Sequence, residues 1–207
     1  MLDALLATVP VRGRSGANLR WACGAVRAHA AQMLHDNTIA APLGQCFDLA
    51  RQADASLQQM TRVRQIILQE TPVSLPAVLV TDASIRFCLA TEARIIASMA
   101  FASRQDVEQA QSIMNDAFNA AEEVAADAMD SITYIALVSA HAAVTAHLVE
   151  TARPLPRMLG FLFAMAAPTL IFAHRLYYDS SRANELRVEN KVVHPAFMRP
   201  RGQALSS

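Results

Sequence analysis

Seven carboxylates crowd one stretch of the chain: Asp106, Glu108, Asp116, Glu122, Glu123, Asp127 and Asp130, against a single basic residue, Arg104. On a helix, Glu123, Asp127 and Asp130 fall at i, i+4 and i+7 and share a face. Shared carboxylate faces build di-metal bundles, but those sites also need Glu-x-x-His pairs on facing helices. No glutamate here has a histidine three residues later. The run therefore reads as a solvated face, or one turned toward a basic partner. His141 and His147, with Glu150 beyond them, repeat the spacing of His29 and His35. That spacing turns a helix by about 600°, leaving the imidazoles about 120° apart, which is poor geometry for one metal ion. There is no G-x-S-x-G, glycine-rich phosphate loop or H-E-x-x-H. Cys23, Cys46 and Cys88 lie far apart without a CxxC and read as buried thiols in a reducing compartment. No catalytic, cofactor-binding or metal-ligating residue is assigned, and a non-enzymatic protein is expected.

The most specific stretch is the ending, "YYDSSRANELRVENKVVHPAFMRP", Tyr177 to Pro200. Asp179, Ser180 or Ser181 can cap a short helix beginning near Arg182. Arg182 and Glu185 are spaced for an i,i+3 pair, and Asn190 suits a helix end. Pro195 forces His194 out of the helix into extended backbone. Val192, Val193 and Phe197 are expected to pin the tail back on the domain. The product is a helix-turn-extended clasp. Its arginines, Arg182, Arg187, Arg199 and Arg201, suit ion pairs within the clasp better than phosphate.

The elements that must carry this ending are helical. The 207 residues are 53% hydrophobic, alanine-rich and poor in glycine and aromatics, a composition of closely packed helices. The opening "VPVRGRSGANLRW" reads as a loop with Ser15 as an N-cap. Helices follow over about 17–37, then from Pro42 to Ile67 as one stripe, about 77–101, from Ser103, and over 132–152 after Asp130 and Ser131. Ser103 with Asp106 forms a capping arrangement. "RPLPR" at 153–157 ends the pattern. The fold expected is all-α: one domain, 1–207, of about five long helices, with 153–207 a C-terminal appendage. "MLGFLFAMAAPTLIF", 158–172, has no charge but is too short and proline-broken to span a membrane. The start has no basic region and too short an apolar run for a signal peptide. Zero net charge gives no long-range field for nucleic acid or anionic lipid, and little repulsion against self-association.

"PTLIFAHRLYYDSSRANELRVENKVVHPAFM" resembles the C-terminal signature of the DNA circulation proteins of Mu-like phages and prophages. That pattern is an apolar helix, a Leu-Tyr-Gly-Asp turn, Arg-Ala-(Asp/Asn)-Glu, an Arg-Asn or Glu-Asn step, and a closing His-Pro-x-Phe. This chain supplies Leu176, Tyr177, Asp179, Arg182, Ala183, Glu185, Asn190, His194, Pro195 and Phe197. "ARPLPRM" and "AADAMDSITYIALVSAHAAV" are similar to the family's helical region. Tyr178 stands where the family usually has glycine, and the family's N-terminal domain has no counterpart here. The resemblance implies a tail-associated structural protein linked to the baseplate, in a family also connected with holding the ends of injected linear DNA together non-covalently. The expectation is an assembly module in the bacterial cytoplasm or virion tail, meeting phage tail or prophage proteins or a copy of itself, with no membrane role. The rival is a DNA-binding surface made by the clasp arginines with Arg12, Arg14, Arg20 and Arg27.

Overall fold

The computed structural model describes residues 1–206, which are mostly helical with one small two-stranded sheet. The all-α expectation therefore holds in outline, and the sheet and the number of helices correct it. The chain gathers into two compact units. One comprises residues 1–99 and 113–147, the other residues 100–112 and those from 148 onward.

The first unit opens with α1 (Leu2–Thr8), a short helix not expected from the sequence, whose Leu2 and Leu5 are buried. α2 (Gly13–His35) begins earlier than expected, so Ser15 lies inside it and Arg12 is its N-cap. The approach is tight at Gly16, where a Cβ would sit 2.2 Å from the Val11 carbonyl carbon. The apolar stripe read as one helix is two, α3 (Ala40–Gln52) and α4 (Leu57–Leu68). Asp54 takes a left-handed φ of 60° between them. Ser56 and Gln59 then cap α4 reciprocally, backbone to side chain in both directions. The stripe survives the break because both helices bury the same kind of face: Phe47, Ala50, Met60, Val63 and Ile67 belong to one core with Leu19 and Cys23. α5 (Leu75–Ser98) is capped by Ser74 and carries Pro76 in its first turn, where the missing N–H costs nothing. All three cysteines are free and buried, and burial pushes the Cys88 thiol up.

α6 (Arg104–Asp127) and α7 (Ser131–Ala152) run through residues of both units. Both start as the sequence predicts. Ser103 Oγ accepts from the Asp106 N–H at 3.2 Å while Asp106 Oδ2 accepts from the Ser103 N–H at 3.0 Å. Asp130 Oδ1 accepts from the Thr133 N–H at 3.2 Å. Asp130 thus lies beyond α6, not on its acidic face, and meets Arg86 at 3.6 Å. α7 is long and apolar enough to cross a membrane by length and composition, the one such helix among the described residues.

The second unit holds the sheet. β1 (Met158–Leu162) comes from the uncharged run 158–172 and pairs antiparallel with β2 (Arg201–Leu205), Gly160 opposite Gln203. Between them lie α8 (Thr169–Tyr177), a 3₁₀ turn (Ser180–Arg182) and α9 (Ala183–Glu189). Phe172, Leu186 and Met198 are buried together, with Phe161 and Phe163 packed against them. Phe163 stacks on Phe172 with centroids 4.5 Å apart. Tyr178 ends α8 in the left-handed conformation, φ 56° and ψ 18°. It therefore makes the turn a glycine would make, at the steric cost a Cβ carries there.

Candidate functional site

The signature residues all fall in the second unit and divide into a latch, a clamp and a rim. The latch secures the turn after α8. The guanidinium of Arg182 lies 3.7 Å from the centre of the Tyr177 ring and donates to both Glu185 oxygens, at 3.1 and 2.8 Å. This is the i,i+3 pair expected from the sequence, strengthened by a cation–π contact. Burial pushes the Tyr177 phenol up, and the nearby Glu185 charge adds to it. Its buried hydroxyl makes no hydrogen bond of good geometry, so the ring serves as a platform more than as a polar group. Of the three candidate caps, Asp179 is the one used: it accepts from the Ser181 hydroxyl and N–H, which hold its carboxyl below the usual range.

The clamp is Asn190. Its amide donates to Gln203 O at 2.7 Å and to Leu186 O at 2.9 Å, and its oxygen accepts from the Gln203 N–H at 2.7 Å. One side chain thereby ties the end of α9 to the outer edge of β2 and replaces one rung of a neighbouring strand. Gly202 makes room for it, since a Cβ there would stand 2.4 Å from Asn190 Oδ1 and 2.7 Å from Phe161. Replacing Asn190 by alanine is expected to destabilise this unit by about 1–2 kcal/mol, because the freed Gln203 groups recover water. Faster amide exchange confined to Gln203 and the end of α9 would show it.

The rim corrects the expected pinning of the tail. Val192 packs against the small core as expected, but Val193 and Phe197 are 96% and 78% exposed, and Met198 is the buried anchor in their place. His-Pro-x-Phe forms a turn: the Phe197 N–H donates to His194 O at 3.0 Å, and His194 Nδ1 accepts from the Ala196 N–H at 3.3 Å. Pro195 contributes its carbonyl to the Thr169 N–H at 2.7 Å. The turn borders a cavity of about 550 Å³ lined by Asn190, Lys191, Val192, Val193, His194, Phe197, Met198, Arg199 and Arg201. Its lining carries three cations and no carboxylate, and none of the three forms an ion pair among the described residues. Lys191 takes a left-handed φ of 50° where α9 stops, which is how consecutive polar residues come to face one hollow. Arg182 and Arg187, by contrast, are engaged with Glu185 and Asn184.

No protein-family model matches the chain, and no curated protein matches it.

In the first unit, His141 is the most elaborately held ionisable group. Its Nδ1 faces Glu122 Oε1 at 2.9 Å and its Nε2 faces Asn115 Oδ1 at 3.0 Å. The ring lies flat on Phe118, with centroids 5.0 Å apart and planes 8° apart. The spacing of His141 to His147 gives no hint of these partners. A signal existed, because Asn115, Phe118 and Glu122 stand at i, i+3 and i+7 of α6 and share a face. Both ring nitrogens are engaged, which together with the stacking on Phe118 fixes the orientation of the ring between α6 and α7. Arg27 pairs with Asp3 and Arg20 with the Val11 carbonyl. Those two, with Arg12 and Arg14, belong to the first unit, whereas the clasp arginines belong to the second.

Proposed function

We propose that this chain is a non-enzymatic assembly module that works through protein–protein contacts, as the C-terminal part of a phage tail-associated DNA circulation protein would. The observation that carries the reading is the surface of α7. Ile132 and Ile135 are 85% and 64% exposed, and Val138 is also exposed, on a helix with no charged residue before Glu150. Contiguous exposed apolar surface marks association sites in proteins. Tail or prophage proteins are the partners this proposal assigns.

A second reading is favoured by the cationic hollow. Lys191, Arg199 and Arg201 line one hollow and offer charge for phosphate, on a far smaller set of arginines than the sequence suggested. One experiment separates the two: light scattering of the chain with and without linear double-stranded DNA, at low and moderate salt. The assembly module is expected to keep one mass whatever DNA is present. A mass shift that fades with salt, and whose log–log salt slope drops by about two in an Arg199→Ala, Arg201→Ala variant, would put DNA binding first.

A further inference from the structure

The two edges of the small sheet are closed differently, and the difference can be traced rung by rung. Ser206 N donates to Arg157 O and Phe163 N to Pro200 O, so residues 157, 159, 161 and 163 direct their backbone groups at β2. In an antiparallel pair the intervening residues direct theirs away. On β1 these are Met158, Gly160 and Leu162; on β2 they include Gln203. Asn190 closes the β2 edge at Gln203. On the β1 edge the side-chain amide of Gln105 does the same at Met158, donating to its carbonyl at 3.3 Å and accepting from its N–H at 2.8 Å. Gly160 and Leu162 remain, with no partner for their outward N–H and C=O groups among the described residues.

Free edges are usually blunted with charge, proline or a bulge. Here the strand is short, but no charge, proline or bulge blunts the open part: residues 158–162 carry no charge, Gly160 is exposed with open space where a Cβ would be, and Leu162 is 77% exposed.

We propose that β1 pairs antiparallel with β1 of a second copy, centred on Phe161, to give a four-stranded sheet across a two-fold axis. The register follows from the open rungs. Gly160 lies opposite Leu162 of the copy and Leu162 opposite its Gly160, and each pair exchanges two backbone hydrogen bonds. The side chains are complementary in this register. Leu162 covers the bare Gly160 of the copy, and the exposed Leu159 comes opposite its Phe163. The length is self-limiting. The chain bends at Ala164 and Met165, so the second strand leaves before it reaches the rung that Gln105 already holds. Such a contact is isologous and closes after two copies, and zero net charge sets no repulsion against it. It lies in the second unit and does not rest on the α7 surface.

Light scattering over a wide range of protein concentration, combined with amide exchange, tests this. The wild-type chain is expected to approach twice its 22.4 kDa mass, with Gly160 and Leu162 amides slowing as the dimer forms. Leu162→Lys, which charges the edge, and Gly160→Pro, which deletes an N–H from both new rungs without touching the β2 ladder, are each expected to weaken dimerisation at least tenfold while circular dichroism stays unchanged. Ile135→Lys, on α7, is expected to leave the dimer intact. A wild-type chain that stays monomeric at every concentration would overturn the strand pairing while leaving a tail partner on α7 open. A dimer that survives both edge variants, or dissociates with Ile135→Lys, would overturn it too.

Discussion

Glu92→Ala is expected to destabilise the first unit by about 3–5 kcal/mol, the cost of stranding one member of a buried ion pair. Glu92 on α5 is fully buried and Arg64 on α4 nearly so, and the guanidinium Nε reaches both carboxylate oxygens, at 3.2 and 3.3 Å. Removing the carboxylate leaves a cation where the surrounding side chains cannot solvate it. The pair itself is not a large net source of stability. Burial raises the Glu92 carboxyl above its ordinary value, and the charge and hydrogen bond of Arg64 only partly reverse this. A group whose folded value lies above its unfolded one binds the proton more tightly when folded. Its contribution to stability is therefore greatest below the ordinary glutamate range and declines as pH rises toward the folded value. Two results are expected from denaturant titration. Either single alanine variant, Glu92→Ala or Arg64→Ala, loses several kcal/mol, whereas Arg64→Met with Glu92→Leu lies within about 1–2 kcal/mol of wild type. Additive losses in the double variant would mean that the two residues act through separate contacts.

How much of this was readable in the sequence depends on the range over which each signal acts. Local chemistry was legible: Ser103 with Asp106, Asp130 before α7, Asp179 before its turn, and the pairing of Arg182 with Glu185 all follow from residues within four positions of one another. Ser56 and Gln59 carried an equally local signal, but a continuous apolar stripe across Gln52–Leu57 concealed it. Pairings distant in sequence were not legible. β1 was legible only as part of an uncharged apolar segment, because such a run has no period, and its strand identity comes from Arg201–Leu205 some forty positions on. Asn190 stood out in the sequence only as a helix end and a signature residue. Its role as a clamp required Gln203 to be beside it, just as the role of Gln105 required Met158. The candidate site shows the same division. His194, Pro195 and Phe197 were legible only as an extended exit from the helix; that they close a turn, with Phe197 facing outward while Met198 anchors the tail, is decided by packing against Phe172 and Leu186.

That packing makes Phe172→Ala the decisive variant for the second unit, with an expected loss of about 3–5 kcal/mol from lost transfer energy and the cavity left behind. Phe172 is fully buried, stacked on Phe163 and edge-on to Phe161 at 5.9 Å. It touches the strand, the α8–α9 turn region and the Met198 anchor through one cluster. Few other apolar residues fill so small a core, so little can collapse into the gap. Phe172→Leu, which keeps most of the volume, is expected to cost less, about 1–1.5 kcal/mol. Amide exchange read along the chain gives the test its resolution. In Phe172→Ala, protection is expected to fall over residues 158–205 and to persist over α3, α4 and α5, whose core contains none of these side chains. The hollow beside Phe197 and the open rungs at Gly160 and Leu162 would disappear together, because one cluster holds the strands, the turn and the clamp in place. Equal loss of protection in both units would show instead that they unfold as one, and that the signature at the end of the chain is the last part of a single cooperative structure.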